Sequence, residues 1–279
     1  MNYRHAYHAG NFADVAKHLA LVAALVHLGK KDKAFFVLDT HGGSGRYDLT
    51  GDAARRTGEA DSGIEKLRAL AGRTDLPEIL NTYLEIAARD EGHYPGSPLI
   101  AARLLRAQDR LVAIEKHPED AAALKAVLAP FRNAKAVEGD GYRRLPALLP
   151  PPERRGLVLI DPPYEAPDEF RIAAGALTAA WRRFATGTYM LWFPIKSKAA
   201  ADAFCGEVLS AGLTRALRID IELQSTPRDA KERLTAAGLL VVNPPFGLDR
   251  QMREAAQIVL PCLGEGTRLE TIWLAGEGG

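Results

Sequence analysis

The feature that most constrains this chain is the alternation of short apolar runs with helical stretches along most of its length. The runs AFFVLD (34–39), LVAIE (111–115), AKAVEGD (134–140), GLVLIDPPYE (156–165) and TYMLWFP (188–194) have the length and residue types of buried strands. Helix-forming stretches at 97–107, 119–129, 168–184 and 197–211 separate them. Strands that alternate with helices predict an α/β fold, a doubly wound, mainly parallel sheet covered on both faces. LRIDIEL (217–223) and GLLVVN (238–243) predict a terminal hairpin, which brings the sheet to seven strands. Ahead of the first strand, Val15, Leu19, Val22 and Val26 recur at 4-3-4 spacing over residues 14–28, one face of a helix. Asn11 or Asp14 is placed to cap it and Gly29 to end it. Residues 50–94 are polar and helix-forming, which predicts a small helical insertion.

Composition narrows the functional classes. With 25 Gly and 17 Pro in 279 residues, the chain is neither collagenous nor of disordered composition. No apolar run reaches the roughly 18–20 residues of a membrane-spanning helix. The opening MNYRHAYHAGNFADVAKH has histidines and Asp14 where a signal peptide would be apolar, so a cytoplasmic protein with no membrane partner is expected. Cys205 and Cys262 are too few for a disulfide framework or a cysteine-rich zinc site. Lys and Arg number 36 against 35 Asp and Glu, a net charge of +1. That balance excludes a surface coated in positive charge. It allows a local basic rim around an acid-lined pocket, drawn from pairs such as Arg143-Arg144, Arg154-Arg155 and Arg182-Arg183.

Acids end three successive strands. The loop Asp39-Thr-His-Gly-Gly-Ser-Gly45 follows the first strand, where open α/β sheets bind ligands and glycines let the backbone approach them. It is neither a dinucleotide fingerprint nor a P-loop, and by itself a tight strand-to-helix turn is the alternative reading. Glu115 ends the next strand, and Asp140 ends a third. Acids at successive strand ends suit the hydroxyls of a nucleoside.

Asp161-Pro-Pro-Tyr164 ends the most apolar strand. Prolines remove N–H donors and fix φ, leaving a turn of acceptors: the Asp161 carboxylate and the nearby carbonyls. Such a turn can grip both hydrogens of an exocyclic amine and favour the pyramidal nitrogen that attack requires. Tyr164 is placed to stack on a planar base, worth roughly 1–3 kcal/mol. Pro162 and Tyr164 are the candidate substrate contacts.

With its glycine loop and DPPY, the chain resembles the class I S-adenosylmethionine-dependent amino-methyltransferases. YRHAYHAGNFADVAKH, LDTHGGSGRY, YPGSPLIAARLLR, EGDGY, GLVLIDPPYE and RRFATGTYMLWFP together resemble the RlmJ family, which methylates adenine N6 in 23S ribosomal RNA. The matching motifs run from residue 3 to about residue 246. The resemblance implies one Rossmann-like methyltransferase domain over 1–279, with a covering segment at 1–30 and an insertion at about 50–94. It implies Asp161 as the catalytic residue and Tyr3 as a contact of the target base. It also implies His18, His41, Ser97, Glu115, Asp140, Gly141 and Asp161 as contacts of S-adenosylmethionine, with no metal. A 23S rRNA substrate and a monomer are expected.

Other readings stay open at this point. Asn243-Pro-Pro-Phe246 is a second amino-methyltransferase-like motif, read as a structural turn or a distant substrate contact because it follows the seventh strand. His5 and His8 at i,i+3 near Asp14 allow a metal reading. Lys17 suits either a cofactor carboxylate or an RNA phosphate. The alternatives in activity are a DNA adenine methyltransferase, methylation of a protein glutamine, and a cofactor- or RNA-binding protein without catalysis.

Overall fold

The computed structural model describes residues 5–224 and 233–276. Its first long element, α1 (Phe12–Gly29), begins where the Asn11 side chain accepts hydrogen bonds from the amides of Ala13 and Asp14. This satisfies two of the amides that a helix start leaves unpaired. The helix is apolar nearly all round and therefore buried nearly all round, as such a helix must be. It is long and apolar enough to cross a membrane, contrary to the expectation from the run lengths, but 83% of it is buried inside the protein. Side chains such as Leu19, Leu21, Val22 and Leu25 contribute roughly 1.5–3 kcal/mol each by that burial.

The sheet is built from β1 (Phe36–Asp39), β4 (Arg110–Glu115), β5 (Ala134–Glu138), β6 (Gly156–Ile160), β7 (Thr188–Pro194), β8 (Ala216–Glu222), β9 (Ala236–Val242) and β10 (Arg268–Ala275). Their order is β10-β8-β9-β7-β6-β1-β4-β5. It has eight strands, one more than the sequence predicted. The additional strand, β10, follows a helix in the last third (α10, Leu248–Leu263) and pairs antiparallel with β8 at the edge. Its weak apolar pattern reflects that edge position: no residue of β10 is fully buried. β8 and β9 pair antiparallel, Ile219 opposite Leu239, as the predicted hairpin requires.

The strands from β5 to β7 are parallel. Successive residues alternate between two cores. Val37, Leu111, Leu157 and Met190 meet α1, α4 (Glu78–Ala87), α5 (Ser97–Leu104), α6 (Pro118–Leu128) and α10 on one face. Phe36, Val112, Val158 and Tyr189 meet α8 (Glu169–Arg183) and α9 (Lys198–Leu209) on the other. The result is three layers with helices on both faces, the doubly wound arrangement.

The insertion contains α2 (Asp52–Thr57), α3 (Ile64–Arg68) and α4, and it is not wholly helical. Its end forms β3 (His93–Pro95), which pairs with β2 (Arg46–Asp48) as a separate two-stranded sheet. The chain runs outward from β1 in both directions, to β4 and β5 on one side and β6 and β7 on the other. The reversal lies between β1 and β6, at their carboxyl ends, and ligands bind doubly wound sheets there.

Candidate active site

A cavity of about 1470 Å³ opens at that switch point. Its floor is made by strand ends and its cover by the N-terminal segment and the insertion. His18, His41, Ser97, Glu115, Asp140, Gly141, Asp161, Pro162 and Tyr164 all line it, so the candidate residues spread over 147 positions converge on one space. Tyr3 lies outside the described residues.

The start of α1 carries Asp14, Lys17 and His18, whose i, i+3, i+4 spacing puts them on one helix face. Asp14 is buried and accepts from His5 Nε2 (2.9 Å), the Gly10 amide (2.9 Å) and Lys17 Nζ (2.8 Å). Burial opposes its charge, yet His5 and Lys17 outweigh that and hold the carboxyl well below its usual range. Lys17 Nζ also donates to Asp161 Oδ2 at 2.5 Å. Burial would favour neutral Lys17, but the two carboxylates raise its pKa, so it stays charged. Lys17 is thus tied to the DPPY aspartate rather than left free for a ligand's anion. The second oxygen of Asp161, Oδ1, has no partner among the described residues and belongs to a side chain that lines the cavity.

His5 and His8 serve different acids: His5 bonds Asp14, whereas His8 Nδ1 lies 2.9 Å from Glu59 Oε1. Glu59 also accepts from the Asn11 amide group. This insertion residue, which sequence reasoning missed, therefore holds the N-terminal segment against the pocket. Its partners lie 51 and 48 positions away, so no local pattern marks it.

The glycine loop is shaped for close approach. Gly43 has φ +57°, and a Cβ there would collide with the Tyr47 hydroxyl. At Gly141 a Cβ would collide with the Thr40 carbonyl oxygen, so the first residue of α7 (Gly141–Arg144) packs directly on the β1 loop. Glu115 is fixed by two amides, Gly43 N at 2.8 Å on one oxygen and His117 N at 2.7 Å on the other. Each oxygen keeps a lone pair for a hydroxyl. Asp140 accepts from Arg143 N and lies 3.3 Å from Lys116 Nζ; these outweigh partial burial and lower its pKa.

Ser97 departs from a simple ligand contact. Its hydroxyl donates to Asp39 Oδ2 at 2.6 Å, leaving only acceptor capacity on that oxygen. Burial pushes the Asp39 carboxyl up to about 6. His41 Nδ1 lies 2.8 Å from the Thr40 hydroxyl, which itself donates to Leu159 O. Nδ1 must then carry the proton, which leaves Nε2 an acceptor. Burial lowers the His41 pKa to about 4, so the ring is neutral near pH 7.

Tyr164 adopts φ +52°, uncommon for a bulky residue. Its hydroxyl donates to Trp192 O at 2.8 Å and its ring lies 4.5 Å from that of Phe170. Tyr142 and Glu169, a pair neither singled out from sequence, complete this wall at 3.3 Å from one another.

Asn243-Pro-Pro-Phe246 lies elsewhere. β9 runs antiparallel to β7 with Val242 opposite Tyr189, so the motif sits at the amino edge of the parallel strands. Of the three arginine pairs, only Arg143-Arg144 reaches the cavity, and through Arg143 alone. Arg154-Arg155 precedes β6 and Arg182-Arg183 ends α8, both at the opposite edge, and Arg155 and Arg183 donate to the backbone carbonyls of Leu28 and Leu149. The expected basic rim therefore consists of Lys116, Arg143 and Arg233 instead.

This fold, with its acids at the ends of consecutive strands and its acceptor turn at the switch point, is that of the class I methyltransferases. Within that class the chain belongs to the RlmJ family. The family model described as "Ribosomal RNA large subunit methyltransferase D, RlmJ" matches residues 32–274. The "Ribosomal RNA large subunit methyltransferase J" of Haemophilus influenzae is 39% identical over 99% of this chain and all of that protein. The protein of that name from Escherichia coli is 39% identical over 94% of this chain and 92% of its own length. A crystal structure of a protein from Legionella pneumophila superposes with a TM-score of 0.86 at 33% identity, covering 95% of this chain and 98% of that one.

Proposed function

We propose that the cavity binds S-adenosylmethionine beside an extruded adenine of 23S rRNA and that the protein transfers a methyl group to adenine N6. One observation carries the reading above the others: Asp161, at the switch point, has one oxygen clamped by Lys17 and the other free to accept a hydrogen bond. The residues suit the cofactor. Glu115 could accept from ribose hydroxyls, Asp140 and the Gly141 backbone would hold the cofactor's adenine, and His18, His41 and Ser97 would supply a mixed donor and acceptor wall. The cofactor, when bound, supplies an electrophilic methyl on a sulfonium.

The protein's part is to orient and to stabilise charge. The Lys17 ion pair fixes the Asp161 carboxylate, whose Oδ1 accepts from the N6 amine and favours the positive charge that develops on nitrogen. Pro162 supplies no N–H to compete for that acceptor. Tyr164, pinned through its hydroxyl, offers a wall for the base, and the family resemblance implies Tyr3 as a further base contact. A paired adenine must leave its stack to enter. The proposed unit of action is the monomer, and a ribosomal RNA substrate supports a cytoplasmic site of action.

The test uses radiolabelled S-adenosylmethionine with protein-free rRNA, genomic DNA and cell protein. Label in 23S rRNA, recovered as N6-methyladenosine and lost in Asp161→Ala, is the expected result. Label in DNA or protein but not rRNA defeats the substrate assignment, and full activity in Asp161→Ala removes Asp161 from the mechanism.

A further inference from the structure

The insertion reaches His18, a residue of the cavity wall, through two tyrosines. Tyr83 of α4 and Tyr94 of β3 are both completely buried, and their hydroxyls lie 2.9 Å apart. The Tyr94 hydroxyl also lies 2.6 Å from His18 Nδ1, with the two rings stacked at 5.5 Å. His18 lines the cavity, yet its buried Nε2 has no partner among the described residues.

Two orders of protons are conceivable along this chain. If Tyr83 donates to Tyr94 and Tyr94 donates to Nδ1, every hydroxyl proton has an acceptor and only Nε2–H is left over. In the reverse order Nδ1–H donates to Tyr94 and Tyr94 to Tyr83. The Tyr83 proton then lacks an acceptor and Nε2 keeps an unused lone pair. Buried polar groups are nearly always satisfied, which favours the first order. Burial raises the pKa of both tyrosines, so both keep their protons. Burial, reinforced by Lys17, lowers that of His18 to about 3, so the ring is neutral with one proton to place.

We propose that Tyr94, backed by Tyr83, is a positioning residue that fixes His18 as its Nε2–H tautomer, so that the insertion presents a preformed donor to an acceptor atom of the cofactor. This rests on the S-adenosylmethionine reading of the cavity. It gives the insertion a role inside the pocket, through the tyrosine of the YPGSP motif. His41, held by Thr40 in the opposite tautomer, presents an acceptor in the same cavity. The pocket thus offers one imidazole donor and one imidazole acceptor.

The experiment has two arms. Long-range ¹H–¹⁵N spectra of the histidines in the ligand-free protein should show His18 as the Nε2–H tautomer in wild type and a mixture in Tyr94→Phe. S-adenosylmethionine should bind roughly tenfold more weakly to Tyr94→Phe, the worth of one buried hydrogen bond, and about two- to threefold more weakly to Tyr83→Phe. In a His18→Ala background Tyr94→Phe should add little, because the coupling runs through the imidazole. An unchanged tautomer, or an affinity loss equal in both backgrounds, overturns the proposal. If Tyr94→Phe does not fold, Tyr83→Phe carries both arms. Wild-type protein that binds no S-adenosylmethionine defeats the functional reading instead, and the tautomer arm still decides whether the tyrosines set the proton.

Discussion

Two turns of nearly the same composition stand at opposite edges of one sheet. Asp161-Pro-Pro-Tyr164 leaves the carboxyl end of β6, and Asn243-Pro-Pro-Phe246 leaves the antiparallel β9 at the amino edge. Each places one residue in the left-handed region, Tyr164 at φ +52° and Asn243 at φ +51°. Their polar groups are used differently. Asn243 Nδ2 donates to Ala185 O and Gly187 O at 2.8 Å each, its amide donates to Arg215 O, and its carbonyl accepts from Thr188. Only its Oδ1 has no partner among the described residues, and Asn243 does not line the cavity. Asp161 satisfies one oxygen through Lys17 and keeps the other. The Pro-Pro-aromatic sequence is thus a way to leave a strand, and strand direction decides whether its acidic or amide residue meets a pocket or a neighbouring loop.

Substitutions in the two turns should separate cleanly. Asp161→Ala should lower methyl transfer by about three orders of magnitude, the scale of losing a preorganised charge at the reacting atom. Its affinity for S-adenosylmethionine, measured by calorimetry, should fall far less than the rate. Asn243→Ala should instead cost about 2 kcal/mol of stability in denaturant titration, because two carbonyls lose their donor, with kcat unchanged. A kcat loss at Asn243 with stability retained would break the distinction between the two edges.

Acidification should sharpen it, because His18, His41 and Asp39, whose pKa values burial shifts, gather at the carboxyl edge. His18 and His41 have pKa values of about 3 and about 4, far below the roughly 6.5 of an unfolded histidine. Unfolding therefore takes up protons, and their contribution is complete above pH 6.5 and lost as pH falls. Asp39, raised to about 6, has the opposite sign and gains stability as pH falls from 6 toward 4. His18→Gln should consequently lose less stability than wild type on going from pH 6 to pH 4. The difference should be about 1.4 kcal/mol per pH unit, read by urea denaturation. Parallel curves would mean that His18 is protonated in the folded state.

The parts of this site legible in the sequence share a physical reason. β7 has the predicted bounds because Thr188–Pro194 is an unbroken apolar run, and Glu115 and Asp161 stand out as charges that stop such runs. β10 was not legible, because an edge strand that is nowhere fully buried has no apolar signature. Nor were the pairings of Glu59 with His8 and of Glu169 with Tyr142, which tertiary packing brings together. Lys17 was visible as a candidate, but its pairing with Asp161 spans 144 positions and follows from how α1 lies across the sheet. The arginine pairs show the same limit. Sequence displayed three equal doublets, and the fold sent two of them to the edge away from the cavity.

That placement makes the smallest predicted effect also the most discriminating for RNA contact. Arg143 is exposed and lines the cavity, whereas Arg182 is equally exposed at the end of α8 beside the Asn243 turn. If rRNA lies across the carboxyl edge, Arg143→Glu should weaken rRNA binding several-fold and reduce the salt slope by about one, the signature of a lost phosphate contact. Arg182→Glu should change neither, since it alters the same net charge far from the mouth. Equal losses in the two variants would mean that overall charge governs binding. A loss at Arg182 alone would place the RNA backbone along the amino edge, and the exposed ring of Phe246 beside it would then become the first residue to substitute.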